Sequence, residues 1–247
     1  MAVTGDQLSR LFTLTSRSHT PRLQLAALNQ IIHALRPTKY LEVGAFEGRS
    51  LLLYSALASI HAPGQKLLAT SIDSWEGGDE HREAGMPMSD IEKTFDHVAE
   101  LSRDLTDQMI TLEKIRSFSR EGLHSIASRS EYYDLILIDA SHKASDVLGD
   151  LVNAWPLLRE GGIMILDDYT WLPRHHTANT GIFLHAPKMA IDAFCGCYAD
   201  EVTIISNLPL LQLYLAKVAP STIKAYYFAL PEVEIPAPFK EIGRAHV

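Results

Sequence analysis

The chain has 247 residues, 47% hydrophobic and 21% charged, which suits one α/β domain with a full core and does not suit a disordered chain. Its 22 Lys and Arg are scattered and outnumbered by 30 Asp and Glu, giving a net charge of −8 that disfavours a nucleic-acid partner. No stretch approaches the roughly 20 apolar residues of a membrane span, and residues 1–10 lack a basic segment followed by an apolar run, so a cytoplasmic protein is expected.

Taken from the start, Leu23, Leu25, Ala26, Leu28, Ile31, Ile32 and Leu35 follow helical spacing until Pro37, which predicts a leading helix over 23–35 in a lead-in of residues 1–37. Short apolar runs then alternate with longer helical patterns. Strands fall at 40–43, 66–72, 109–115, 135–138, 162–166, 201–205 and 211–217, and helices near 48–60, 89–103, 119–128, 141–158 and 187–198. That rhythm predicts a single α/β domain over 1–240 with a seven-stranded, mostly parallel sheet. Only Ser206-Asn207-Leu208-Pro209 separates the last two strands, so they should close the sheet as an antiparallel hairpin.

Cys195 and Cys197 lie two apart on a helix, where their side chains diverge, so neither a disulfide nor a metal knuckle is expected. Residues 219–240, with Pro220, Pro231, Pro236 and Pro238, read as an irregular extension that packs on the surface or reaches a partner; homo-oligomerisation is left open. The ending Glu241-Ile242-Gly243-Arg244-Ala245-His246-Val247 is what a common sequencing-adapter read gives on translation. It is expected to carry no fold, with the natural C-terminus missing.

Two groups of residues carry chemistry. The first begins with Tyr40-Leu41-Glu42-Val43-Gly44-Ala45-Phe46-Glu47-Gly48-Arg49-Ser50, an apolar strand, a glycine turn and a helix start. Gly44 lets the chain turn sharply and Gly48 lets backbone approach a ligand, at the carboxyl edge where such sheets bind ligands. The spacing Gly-x-x-x-Gly is not the Gly-x-Gly-x-x-Gly dinucleotide fingerprint, and no phosphate-binding Lys-Ser/Thr pair follows. In Ser71-Ile72-Asp73-Ser74-Trp75, Asp73 ends the second strand, where a carboxylate can accept from both hydroxyls of a ribose.

The second group joins Asp139-Ala140-Ser141-His142, ending the fourth strand, to Asp167-Asp168-Tyr169-Thr170-Trp171, ending the fifth. One βαβ step brings the three carboxylates together, and either a cation neutralises them or some are protonated. Magnesium suits such an oxygen site. His142, at the start of a helix read from Ser141, should be kept neutral by the helix dipole and able to act as a base. Segments 77–88 and 171–185 have the length and polarity of lids or substrate walls, with Trp171, Arg174, His175 and His176 as candidates for acceptor contact.

The loop Glu42–Gly48 resembles motif I of the class I S-adenosylmethionine-dependent methyltransferases, and the Asp-Ala-Ser-His and Asp-Asp-Tyr-x-Trp patterns resemble the macrocin O-methyltransferase group, which acts on small molecules and sugars. The resemblance runs over about 40–217 and is most specific over 139–171. It implies the three-layer Rossmann-like class I fold. Glu42, Gly44, Ala45, Gly48, Ser50, Asp73, Ser74, Ser119 and Asp139 would form the cofactor site, with Ser119 either on the adenine side or an N-cap. Asp139, Asp167 and Asp168 would bind the metal, and His142 would take the acceptor proton. The expected activity is Mg-assisted methyl transfer to a hydroxyl of a sugar or other hydroxylated metabolite. A metal-independent N- or O-methyltransferase, a nicotinamide-dependent oxidoreductase and a non-catalytic binding module are the alternatives.

Overall fold

The computed structural model describes residues 13–129, 131–172, 186–205, 208 and 211–218. In chain order the elements are α1 (Arg22–Leu35), β1 (Lys39–Val43), α2 (Arg49–His61), β2 (Leu67–Asp73), α3 (Asp79–Glu83), α4 (Met88–Leu105), β3 (Ile110–Arg116), α5 (Ser119–Ala127), β4 (Tyr133–Ile138), α6 (Ala144–Ala154), β5 (Leu158–Leu166), α7 (Pro187–Cys197), β6 (Val202–Ile204) and β7 (Leu213–Lys217). The sheet order is β3-β2-β1-β4-β5-β7-β6. β1 to β5 run parallel, whereas β7 pairs antiparallel with both β5 and β6. The terminal hairpin is therefore present, with its second strand inserted next to β5.

Alternation along the strands splits the core into two layers, because successive side chains of a strand face opposite sides. Tyr40, Leu135, Leu137, Ile163 and Ile165 pack with α1, α2 and α4; Leu41, Val43, Ile136, Ile138, Met164 and Leu166 pack with α5, α6 and α7. α2 is apolar almost all round because it lies beneath α1 and beside α4. Arg36, in the left-handed region at φ 45°, ends α1 just before Pro37.

Two boundaries differ from the sequence reading. α6 starts at Ala144, because Ser141 is used in a turn: its hydroxyl donates to Asp146 Oδ2 (2.9 Å) and accepts from the Lys143 N–H (3.1 Å). The helix stops at Ala154, a 3-10 turn over Trp155–Leu157 contains Pro156, and Leu158 belongs to β5, paired with Tyr133. The segment read as a lid carries an additional short helix, α3. Cys195 and Cys197 both lie on α7 as free thiols. Among the described residues no helix is long and apolar enough to cross a membrane. The extension 219–240, the tail 241–247 and the first twelve residues lie outside the described residues.

What positions the site is the pairing that continues past the strand ends. Gly44 N–H donates to Ile72 O (2.8 Å), Asp139 N–H to Val43 O (2.8 Å), Asp167 N–H to Ile138 O (3.0 Å) and Ser117 N–H to Asp73 O (2.9 Å). β1 and β4 are the strands between which the order reverses, and a crevice for ligands opens at such a point. Gly44 turns there at φ 93°, and a Cβ on it would lie 2.0 Å from the Asp139 carbonyl oxygen.

Gly44→Ala should therefore lower stability by about 3 kcal/mol or more, from backbone strain plus overlap. Gly149→Ala, within α6 where a Cβ meets nothing within 4 Å, should raise it by about 0.5–1 kcal/mol. Urea midpoints of the two variants against the parent test both signs.

Candidate active site

The loop between β1 and α2 is held by two buried or half-buried carboxylates. Asp73, at the end of β2, accepts from the Phe46 N–H (Oδ2, 2.9 Å) and the Trp75 N–H (Oδ1, 2.7 Å). Both residues sit at positive φ, 45° and 50°, an uncommon conformation for aromatic side chains that the carboxylate stabilises. The Trp75 indole then donates to Phe46 O (2.9 Å), and the His81 ring of α3 stacks on the Phe46 ring (5.2 Å between centroids). Ser74 Oγ accepts from the Glu76 N–H (3.2 Å).

Glu47 is the second carboxylate, and the sequence reading passed over it. It is fully buried and accepts from the Arg17 N–H (3.0 Å), the Ser18 N–H (3.1 Å), the Ser18 hydroxyl (3.2 Å) and the Arg17 guanidinium (3.4 Å). Arg49 reaches the same strap through the Thr15 hydroxyl and carbonyl. The lead-in is thus fastened across the loop that resembles a cofactor motif. A glutamate and an arginine flanking Gly48 were the only visible signal.

Both glycines of the motif are required by the protein's own packing. A Cβ on Gly48, at φ 82°, would meet Val98 and Phe95 of α4 within 3.1 Å. Helix packing is therefore a reason for glycine at position 48 beside the ligand approach expected from the sequence. Ala45 is buried, its carbonyl accepts from Gly48 N–H (2.7 Å), and Ser50 follows in the first turn of α2. Ser119 is the first residue of α5 with Phe118 as N-cap, so it is not the cap; its hydroxyl bonds the buried Asp150 instead.

Glu42 points into the core and is fully buried. The Ser71 hydroxyl donates to its Oε1 (2.6 Å) and the Tyr40 hydroxyl to its Oε2 (3.1 Å). Burial pushes its carboxyl up to about 8, and the charge of Asp73 adds to the rise, against the lowering from Ser71 and Tyr40.

At the ends of β4 and β5 the acids form two pairs. Asp139 and Asp167 lie against one another: loss of solvation and then the charges of Asp167, Asp168 and Glu42 raise the Asp139 carboxyl well above its ordinary value, and burial and then Asp168 raise that of Asp167. Asp167 Oδ1 also accepts from the Asp168 N–H (2.9 Å) and from Gln24 Nε2 of α1 (3.4 Å), and Gln212 bonds the same carboxylate. Gln24 and Gln212 were not foreseen, since nothing in sequence joins α1 and β7 to this edge.

The second pair is His142 Nε2 with Asp168 Oδ2, at 2.7 Å. Asp168 sits at φ 56°, and the Trp171 ring stacks on the imidazole at 4.1 Å between centroids and 30° between planes. His142 precedes α6, outside its first turn, so the carboxylate of Asp168, rather than a helix dipole, is the electrostatic partner that counts. Arg174, His175 and His176 lie outside the described residues.

Among the described residues, no three Asp, Glu, His or Cys side chains converge on one point. Three carboxylates, Asp139, Asp167 and Asp168, compete for this edge, and burial with their mutual charge raises the Asp139 and Asp167 carboxyls. The pocket between Asp139, Ser141, His142, Asp167, Asp168 and Pro187 encloses only ≈ 10 Å³, about one water.

Glu42 gives this edge a pH signature. Unfolded it ionises near 4.5 and folded near 8, so the folded chain holds a proton that unfolding releases, and stability falls as pH rises across that window. Glu42→Gln should flatten the fall and raise stability at pH 8 by about 2 kcal/mol. Urea melts at pH 5, 6.5 and 8 check it.

A methyltransferase family model, described as "Methyltransferase domain", matches residues 41–169. No curated protein matches the chain. Among solved structures, it is similar to the S-adenosylhomocysteine-bound methyltransferase PaMTH1 of Podospora anserina, at 13% identity and TM-score 0.57, covering 85% of this chain and 86% of that one. It is also similar to the calicheamicin methyltransferase CalS11, at 15% identity and TM-score 0.53 over 87% and 94% of the two chains. A third is the O-methyltransferase TomG of Streptomyces achromogenes in complex with S-adenosylmethionine, at 15% identity and TM-score 0.53 over 85% and 89%. With the family match spanning the cofactor loop, Asp73, Asp139 and the Asp167–Asp168 pair, the chain belongs to the methyltransferase-domain family and is a class I S-adenosylmethionine-dependent methyltransferase.

Proposed function

We propose that this methyltransferase transfers the methyl group to a hydroxyl of a small hydroxylated acceptor, a sugar or a related metabolite, with His142 as the base. The observation that carries the reading is the His142–Asp168 pair, 2.7 Å apart and covered by Trp171, beside the point where the strand order reverses. Similarity to the O-methyltransferase TomG supports an oxygen acceptor.

As a carboxylate, Asp168 accepts from the His142 Nε2–H and orients the ring, and in the proposed step His142 takes the proton of the acceptor hydroxyl. The imidazolium so formed is stabilised by the same carboxylate. Trp171 holds the ring plane by stacking, and the lead-in is fastened to the loop through Glu47. Bound S-adenosylmethionine supplies an electrophilic methyl on a sulfonium leaving group, and the cofactor residues would be Glu42, Gly44, Ala45, Gly48, Ser50, Asp73, Ser74, Ser119 and Asp139. Asp73 is suited to the ribose, because each of its oxygens accepts one backbone N–H and retains a lone pair. Asp139, Asp167 and Asp168 would hold Mg²⁺, which would supply Lewis acidity to a vicinal diol.

His142→Ala should lower turnover by about 10²–10⁴ while leaving S-adenosylhomocysteine affinity, measured by calorimetry, unchanged. Turnover within a factor of two of the parent would remove His142 as the base. On a panel of vicinal diols, chelator should abolish activity and added Mg²⁺ restore it. Unchanged turnover in chelator would leave a metal-independent transferase.

A further inference from the structure

On the outer side of the molecule, away from the acidic edge, the C-terminal turns of α1 and α2 meet at His33 and His61. Their Nδ1 atoms are 3.3 Å apart, and the ring centroids are 4.9 Å apart, so the two nitrogens lie on facing edges. His61 Nε2 is 2.8 Å from Asn29 Oδ1, an atom that only accepts. The His61 proton is therefore on Nε2, and its Nδ1 presents a lone pair toward His33. Asn29 is buried within α1, so the orientation of His61 is set from below by a hydrogen bond of the kind that supports metal-binding imidazoles.

We propose that His33 and His61 form a surface site for a borderline transition-metal ion such as Zn²⁺, Ni²⁺ or Cu²⁺, which clips α1 to α2. Two nitrogens each about 2.05 Å from a tetrahedral ion stand about 3.3 Å apart. Imidazole favours these ions over Mg²⁺. In binding, His33 moves its single ring proton from Nδ1 to Nε2, each Nδ1 replaces one water on the ion, and no net proton leaves. The remaining positions stay with water. Both histidines sit at helix C-termini, whose carbonyl ends attract a cation. Burial, then the neighbouring His33 and Arg36, hold the His61 pKa below its ordinary value, which favours the neutral ring. Arg36, as a neighbouring cation, keeps the affinity below that of a three-ligand site. The clip would secure the helix that brings Gln24 to Asp167, and it stands independently of the proposed acceptor chemistry.

The test uses the full chain without a polyhistidine tag, titrated with Zn²⁺ by calorimetry and followed by thermal unfolding with Zn²⁺, Ni²⁺ or Mg²⁺. The expected result is a single Zn²⁺ event that raises the unfolding midpoint, survives His142→Ala and weakens at least tenfold in His33→Ala. Since His33 is exposed, that variant should fold. His61→Gln should reproduce the loss, and any stabilisation by Mg²⁺, which the acidic edge would bind, should be unchanged by either histidine substitution. Zn²⁺ binding unaltered by His33→Ala, or absent from the parent, would overturn the proposal.

Discussion

The active edge depends on one close crossing, that of Gly44 over the Asp139 carbonyl. Where β1 ends, the chain must leave the sheet without colliding with the end of β4, and only a residue lacking Cβ passes at φ 93°, since a Cβ there would lie 2.0 Å from the Asp139 carbonyl oxygen. The crossing lets the Asp139 N–H reach Val43 O and the Gly44 N–H reach Ile72 O, so strands β2, β1 and β4 end in register. Their terminal acids Asp73 and Asp139, with Asp167 just after β5, then lie along the same carboxyl edge of the sheet. Overpacking at this point would separate the acids from the loop, because a packed core passes a displacement on rather than absorbing it.

Around that crossing the protein spends stability on charge placement. Glu42, Asp139 and Asp167 are buried or nearly so with raised pKa values, and Phe46, Trp75 and Asp168 hold positive φ angles. Each is unfavourable in isolation and is held by hydrogen bonds: Ser71 donates to Glu42, the Phe46 and Trp75 N–H groups donate to Asp73, Gln24 donates to Asp167, and His142 pairs with Asp168. Strain concentrated this way is characteristic of sites arranged for a ligand. The strap on Glu47 extends the logic, since a buried glutamate is tolerated when several donors converge on it.

The two histidine pairs show how the same side chain is set to different uses. His142 faces a carboxylate, which favours its protonated form during proton transfer. His61 faces a second imidazole and Arg36, which favour a neutral ring and a lone pair. Sequence could not separate them, because both are single histidines near the ends of helices.

Sequence alone determined the α/β rhythm, the strand that ends in Gly44, the acids at the ends of β2, β4 and β5, and the closing hairpin. These follow from hydrophobic period and local turn chemistry, which act between near neighbours in the chain. The start of α6 was misplaced because Ser141 closes a turn onto Asp146, a choice between two locally similar conformations. Only tertiary structure decided that Gly48 serves α4 packing, that Glu47 fastens the lead-in, that Gln24 and Gln212 reach Asp167, and that His142 pairs with Asp168. Those contacts join residues dozens of positions apart, and their energy exists only once the sheet has brought the strand ends together.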